Sequence, residues 1–179
     1  MIQIDDTAPD FSARAFYRGK ICDITLRDYR EKWVVLFFYP ADFTFVCPTE
    51  LTDLADRHEE FQEIGADILS VSTDTVHVHK AWHESSDAIA QIRYPMLEDP
   101  AHQICRSYGT LIDNEGVARR ATIIIDPDGV IRAYEFHNND IGRSTDEIIR
   151  KVRAAKFVRE NNGRLCPMNW EPGSDAIEQ

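Results

Sequence analysis

The chain has 179 residues, of which 43% are hydrophobic and 28% charged, and its formal net charge is −11. Length and composition fit one globular domain with a substantial core, and the acidic balance argues against general nucleic-acid binding. The longest apolar run, residues 33–39, is too short to span a bilayer. The N-terminus lacks a basic segment followed by an apolar run, so we expect no signal peptide and a soluble, cytoplasmic protein.

Predicted strands and helices alternate in the first half of the chain. A hairpin with a glycine turn is predicted over residues 13–26, and "WVVLFFY" (33–39) is typical of a strand buried on both faces. Apolar residues at helical spacing predict one helix over residues 48–65. "ADILSVS" (66–72) is predicted as the next strand, and a helix is predicted over residues 76–92.

The second half is predicted to contain a short extended segment, a short helix, a hairpin and a final helix, at residues 95–99, 100–108, 120–126 with 130–136, and 144–161. The final helix opens with a capping box, Ser144 to Glu147. We predict a domain over residues 1–163 and a polar tail over residues 164–179. The order of elements predicts an α/β, thioredoxin-like fold with a mixed central sheet flanked by helices and extra N-terminal strands.

The four cysteines form no C-x-x-C pair, which excludes a zinc ribbon or a thioredoxin-type redox motif of that pattern. Cys47 is distinguished by its surroundings, because a buried strand passes there into an amphipathic helix. Pro48 follows it, and proline favours the first turn of a helix. Unpaired N–H groups and the helix dipole favour negative charge at this position. The sequence therefore predicts a reactive thiol at Cys47.

The spacing P-x-x-x-T-x-x-C places two further residues near this thiol. The hydroxyl of Thr44 could donate a hydrogen bond to the thiolate or to an oxygen bound near it, and Pro40 could shield the pocket from water. A fixed cation is also needed to stabilise a departing oxyanion. Arg120 is the candidate, because it begins a predicted strand of the same sheet and strand alternation points Arg119 to the opposite face.

Two motifs carry a resemblance to a known family. "FFYPADFTFVCPTEL" resembles the active-site signature of the peroxiredoxins, and "RLCPMNW" resembles the second-cysteine motif of the typical 2-Cys class. "VSTDTVHVHKAWH", "GVARRATIIIDPDG" and "IGRSTDE" also resemble that class, and in particular its bacterial alkyl hydroperoxide reductase type. The resemblance covers about residues 10–170, which is nearly the whole chain.

The resemblance implies a thiol-dependent peroxidase that reduces hydrogen peroxide and organic hydroperoxides in antioxidant defence. Cys47 matches the peroxidatic cysteine, which becomes a sulfenic acid, and Cys166 matches the resolving cysteine, which forms an intersubunit disulfide with it. A homodimer that assembles to a decamer is therefore expected, with a thioredoxin or a flavoprotein disulfide reductase as electron donor. No metal, cofactor, nucleic acid or membrane is implied.

The resemblance also assigns five residues around the peroxidatic cysteine. Three match the substrate pocket and two match supporting positions that orient the active arginine. The pocket positions are Pro40, Thr44 and Arg120, and the supporting positions are Glu50 and Arg143.

Several reactive residue types match no catalytic position of the family. Cys22 and Cys105 are predicted to be structural. His79 and His83 stand at the i, i+4 spacing that metal sites use, but no Glu or Cys ligand occupies a matching position. A solvated helix face is the simpler interpretation of these two histidines.

Two other functions fit the sequence less well. A disulfide oxidoreductase of thioredoxin type needs the C-x-x-C pair that the chain lacks. A holdase for unfolded chains would need overoxidation, but the "GGLG" and C-terminal "YF" motifs of overoxidation-sensitive peroxiredoxins are missing from the sequence. Their absence predicts an enzyme that resists overoxidation.

Overall fold

The computed structural model describes residues 2–178, so residues 1 and 179, the outer ends of the predicted domain and tail, lie outside the described residues. The strands in chain order are β1 (Ser12–Tyr17), β2 (Lys20–Thr25), β3 (Trp33–Phe38), β4 (Ala66–Ser72), β5 (Met96–Glu98), β6 (Leu111–Ile112), β7 (Val117–Ala118), β8 (Arg120–Ile125), β9 (Ile131–His137), β10 (Arg164–Leu165) and β11 (Ile177–Glu178). The α-helices are α1 (Cys47–Asp56), α2 (His58–Glu63), α3 (Val76–Ser85), α4 (Gln103–Ser107) and α5 (Thr145–Glu160).

Within the described range, the central sheet has seven strands in the order β2-β1-β5-β4-β3-β8-β9. Strand β4 is parallel to both of its neighbours, β3 and β5, while the other pairs are antiparallel. The predicted mixed sheet with an extra N-terminal hairpin at one edge is therefore confirmed. Every residue of β3 is buried, as its continuous apolar run predicted.

The sheet separates two hydrophobic cores, and β3 contributes to both because its side chains alternate between faces. Val35 and Phe37 pack with residues of α1 and α5 on one face, while Leu36 and Phe38 pack with residues of α4 on the other. Cys105 lies in the second core, where burial and the nearby charge of Asp99 raise the pKa of its thiol far above the ordinary value. This thiol stays protonated and inert.

Two predicted helices are interrupted in the structure. The helix predicted over residues 48–65 is divided at Arg57, whose backbone is non-helical (φ −96°, ψ 10°). The helix predicted over residues 76–92 ends at Ser85 because Ser86 is extended (φ −131°, ψ 116°), and a 3₁₀ turn, Ile89–Gln91, follows. The apolar spacing continues across these breaks since the side chains beyond them remain in the core. Periodicity alone therefore does not reveal where the backbone bends.

Short pairings in the loops and tail escaped the sequence prediction. Strands β6 and β7, and likewise β10 and β11, pair over only two residues each, which is too short for a periodic signal. The tail is nonetheless folded against α5, since the buried ring of Trp170 packs on Phe157 with 4.6 Å between ring centroids.

At the start of α5 the Ser144 side chain accepts from the Glu147 amide, but the Glu147 carboxylate pairs with Arg150 rather than closing the predicted capping box. No helix in the described part of the chain is long and apolar enough to cross a membrane.

Candidate active site

Cys47 is the first residue of α1 and Pro48 the second, as the helix-start pattern predicted. Strand β3 ends at Phe38, and the chain then passes through a loop that contains the half-buried Pro40. The Cys47 side chain is 0% exposed. The strand-loop-helix connection therefore holds a thiol at the N-terminus of a helix and out of contact with bulk water.

Arg120 lies directly against this thiol. Its Nη1 donates to Sγ of Cys47 at 3.3 Å and to Oε2 of Glu50 at 2.8 Å. The contact arises because β8 is antiparallel to β3, with Ala121 opposite Phe38, so the first residue of β8 meets the end of β3. Arg120 is only 3% exposed, whereas Arg119 is exposed, as strand alternation predicted. The buried guanidinium thus places a positive charge and a hydrogen-bond donor directly on the sulfur of Cys47.

Glu50 connects Arg120 to a second buried arginine. The backbone N–H and Nε of Arg143 donate to Oε1 of Glu50 at 2.8 and 2.9 Å, and its Nη2 donates to Oε2 at 2.9 Å. The Arg143 guanidinium also lies 3.3 Å from the centroid of the Phe37 ring, over its face. One carboxylate therefore fixes two guanidinium groups, and one positive charge remains uncompensated beside Cys47.

The charges of this cluster depend on one another. Burial by itself would raise the pKa of Glu50, but its hydrogen bonds with Arg143 and the charges of both arginines hold that pKa below the ordinary value. Burial likewise lowers the pKa of Arg143, and Glu50 opposes this effect. The carboxylate is thus ionised at neutral pH, and each buried charge depends on its partners.

We expect Glu50→Gln to destabilise the protein by about 3–5 kcal/mol, the usual consequence of removing one member of a buried charge network. The substitution leaves the guanidinium groups of Arg120 and Arg143 close together without a carboxylate. Urea unfolding at neutral pH measures the change in the free energy of unfolding. Asp53→Asn, on the exposed face of the same helix, is the matched control and should change stability by less than about 0.5 kcal/mol. Equal stabilities of the two variants would show that Glu50 does not hold the cluster together.

Thr44 makes a different hydrogen bond from the one expected with the thiolate. Its Oγ1 donates to the carbonyl oxygen of Ala41 at 2.9 Å. A hydroxyl has one proton, so Thr44 in this arrangement does not donate to Cys47. The alternative expectation, that Thr44 donates to an oxygen bound near the sulfur, requires a rotation about its Cα–Cβ bond and stays a prediction.

A buried polar network holds the same loop, and sequence reasoning missed it. The Asp42 carboxylate accepts from the Tyr39 hydroxyl at 2.7 Å and lies 2.7 Å from Nδ1 of His79. Nε2 of His79 lies 3.1 Å from the carbonyl oxygen of Leu97. Because both ring nitrogens face acceptors, this arrangement favours the imidazolium form, in which both nitrogens donate. The only available signal was the acidic residue within "YPADF", which follows the buried strand.

The interpretation of the two histidines as a solvated helix face is wrong for His79, which is 0% exposed, while His83 is only half-buried. Helix α3 packs on the sheet so that His79 points inward to Asp42 and Leu97. In the part of the chain that the structure describes, no group of three or more His, Cys, Asp or Glu residues could hold a metal ion. The role of His79 is therefore to anchor the loop that leads to Cys47.

The charge of His79 should make stability depend on pH. Burial disfavours the charged ring, but the hydrogen bond with Asp42 and the charge of Asp42 outweigh it and raise the pKa of His79 above the ordinary value. A raised folded-state pKa means that the stabilisation is fully present below about pH 6.5 and is lost as the pH rises through the folded-state pKa. We expect His79→Gln to lower the free energy of unfolding by about 2 kcal/mol at pH 6 and by less at pH 9. Urea unfolding at both pH values, with the exposed His77→Gln as control, measures this; an equal loss at both values would contradict it.

Cys166 lies apart from this cluster. The half-buried thiol donates to the carbonyl oxygen of Ala154 on α5 at 3.7 Å and lines a groove of about 510 Å³ between α5 and β9. Burial raises the pKa of Cys166, and the charge of Arg150 partly offsets this. The structure thus brings Cys47, Glu50, Arg120 and Arg143 together and leaves Cys166 on another surface of the same chain.

A mixed sheet with a thiol at the start of the α-helix that follows the buried strand β3, and a buried arginine on that thiol, defines a thiol-dependent enzyme of thioredoxin-like fold. Comparison of the sequence with known protein families supports this class, because the model of the AhpC/TSA family matches residues 4–134. Alkyl hydroperoxide reductase C of Escherichia coli is 46% identical over 177 residues, which are 99% of this chain and 95% of that protein. The protein of the same name from Bacillus subtilis is 47% identical over 167 residues, covering 93% and 89%. This chain therefore belongs to the AhpC/TSA family.

Solved structures show the same relationship. The crystal structure of Enterococcus faecalis AhpC superposes with a TM-score of 0.90 at 41% identity and covers 93% of this chain and 100% of that one. Reduced 2-Cys peroxiredoxin of Plasmodium vivax gives a TM-score of 0.93 at 34% identity, covering 97% and 91%. The predicted thioredoxin-like fold and the resemblance to peroxiredoxins of the alkyl hydroperoxide reductase type are both confirmed.

Proposed function

We propose that this chain is a thiol-dependent peroxidase that reduces hydrogen peroxide and organic hydroperoxides, with Cys47 as the nucleophile. One observation carries the proposal: the buried Arg120, held by Glu50, donates a hydrogen bond to Sγ of Cys47. Attack on a peroxide needs a thiolate and a donor for the departing oxygen, and this arrangement supplies both in one place.

In the first step the Cys47 thiolate attacks one oxygen of the O–O bond. That bond breaks, its electron pair leaves with the other oxygen, and protonation of the leaving oxygen gives water or an alcohol. Cys47 becomes a sulfenic acid. Arg120 stabilises the developing negative charge, Thr44 donates to the bound peroxide after turning from Ala41, and Pro40 limits access of water.

In the second step the sulfenic acid condenses with Cys166 of the partner subunit, which releases water and forms the intersubunit disulfide. The position of Cys166 against α5, in a chain whose Cys47 lies at the start of α1, supports a reaction between subunits of a homodimer. We propose that residues 1–163 form the peroxidase domain and that residues 164–179 form a tail that delivers this thiol.

The catalytic cycle closes when an external dithiol reduces the disulfide. The relatives named alkyl hydroperoxide reductase C and 2-Cys peroxiredoxin support a role in antioxidant defence. Assembly of dimers into a decamer, reduction by a thioredoxin or a flavoprotein disulfide reductase, and a cytoplasmic location stay predictions.

A peroxide-dependent disulfide tests this proposal. One equivalent of hydrogen peroxide per subunit should produce a dimer band on a non-reducing gel, and dithiothreitol should collapse it. Cys166→Ser should form no such band, yet should still consume one equivalent of peroxide, because only the second step is lost. Cys22→Ser is the control and should behave like the wild type. A dimer band that persists in Cys166→Ser would overturn the assignment of the resolving thiol.

A further inference from the structure

The hydrogen-bond donors of Arg120 bind Cys47, Glu50 and a third residue, Asn139. Its Nη1 is used by Cys47 and Glu50, as described above. Its Nε donates to the backbone oxygen of Asn139 at 2.8 Å. Nη2 of Arg120 has no hydrogen-bond acceptor among the described residues. It can therefore donate to an oxygen of an incoming substrate. The direction of Nη2 is set by the groups that hold Nε and Nη1.

Asn139 holds Arg120 through its side chain as well. Its Oδ1 accepts from the Arg120 backbone N–H at 3.1 Å, and its Nδ2 donates to the carbonyl oxygen of Ala118 at 3.5 Å. The last residue pair of the β8–β9 ladder is Arg120 with His137. Asn139 lies two residues beyond that pair and extends the pairing with a side-chain amide in place of a backbone group. Both the backbone and the guanidinium of Arg120 are therefore fixed by one residue.

We propose that Asn139 is a positioning residue for the peroxidase reaction, which keeps the Arg120 guanidinium aligned with the sulfur of Cys47 and with the departing oxygen of the substrate. This inference rests on the proposed function. Asn139 belongs to the loop between β9 and α5, and the same loop contains Arg143, which donates to Glu50. One short loop thus sets the orientation of both buried arginines.

The test compares Asn139→Ala with Asn139→Gln and with Asn138→Ala. The alanine variant loses both side-chain hydrogen bonds of Asn139, and its second-order rate with hydrogen peroxide should fall about five- to tenfold. The glutamine variant keeps an uncharged amide, which can accept from the Arg120 N–H and donate to the Ala118 carbonyl oxygen, and should recover part of the lost rate. Asn138 is exposed and its Oδ1 accepts from the Asp140 amide, so Asn138→Ala loosens the same loop without touching Arg120 and should keep the wild-type rate.

A second measurement separates alignment of the guanidinium from general damage to the site. Alkylation of Cys47 by iodoacetamide uses the same sulfur, but its departing iodide does not need a hydrogen-bond donor. The ratio of the peroxide rate to the alkylation rate should therefore fall in Asn139→Ala, fall less in Asn139→Gln and stay unchanged in Asn138→Ala. An unchanged ratio in Asn139→Ala, or a peroxide rate of Asn139→Gln no higher than that of Asn139→Ala, would overturn the positioning role. A wild-type protein that reacts with no peroxide would instead overturn the proposed function, and the positioning role with it.

Discussion

Replacing Cys47 by serine is expected to slow the consumption of hydrogen peroxide by at least about a thousandfold. A serine hydroxyl at the start of α1 would keep the position of the thiol and its contact with Arg120. It would not ionise at neutral pH, however, and oxygen is a much weaker nucleophile than sulfur toward a peroxide. The measurement is the disappearance of peroxide in a single turnover of the reduced protein.

Cys105→Ala is the matched control for this experiment, because it also removes one buried cysteine thiol. Burial and the charge of Asp99 hold the pKa of Cys105 far above the ordinary value, so this thiol does not contribute to the reaction. The control should keep the wild-type rate although it loses some stability. Peroxide consumption by Cys47→Ser at the rate of this control would refute Cys47 as the nucleophile.

Replacing Arg120 by glutamine is expected to lower kcat/KM for peroxide by about 10²–10³-fold, the usual effect of removing one donor to a developing oxyanion. Arg120 is the only positive group that the described hydrogen bonds place on Sγ of Cys47. Glutamine removes the positive charge that lies beside the Cys47 sulfur and the guanidinium that donates to the leaving oxygen. Glu50 keeps its hydrogen bonds with Arg143, so the loss of activity should exceed the loss of stability. Steady-state peroxidase kinetics and urea unfolding measure the two effects.

The neighbouring arginine provides the control. Arg119 directly precedes β8 and is exposed, so Arg119→Gln should leave kcat/KM within about twofold. Arg120→Lys keeps the charge but lacks the fork that reaches Asn139, Glu50 and Cys47 together, and should recover only part of the rate. An Arg120→Gln variant with the wild-type kcat/KM would refute the role of Arg120.

The sequence by itself predicted a reactive thiol at Cys47 and the strand-to-helix setting in which the structure places it. A strand buried on both faces is recognisable from an uninterrupted apolar run, and a helix start from Pro48 after Cys47. The choice of Arg120 over Arg119 also followed from the sequence, because side chains alternate along a strand whose start was correctly predicted. Local rules suffice for these features, since each depends on residues that are near one another in the chain.

Local sequence patterns did not predict the contacts that hold those residues in place: Glu50 and Arg143 were assigned only through the family resemblance, and the contact of His79 was missed. Glu50 joins arginines 70 and 93 residues away, and His79 meets Asp42 across 37 residues. These contacts depend on how α1, α3 and the loop before α5 pack on the sheet, and the periodicity of a single segment carries no information on that packing. The pattern around His79 fitted a solvated face equally well, and only the docking of α3 placed this ring against an acceptor at each nitrogen.

Local residue types and spacing therefore predicted the class of fold, the thiol that lies at the start of its first long helix and the arginine that faces this thiol. The tertiary structure alone decided how that arginine is oriented, because its donors are distributed among a helix, a thiol and a loop residue that converge only in the folded chain. Tertiary packing also decided that Thr44 donates to Ala41 and that Cys166 lies on α5, since both depend on the path of a loop or tail with no periodic pattern.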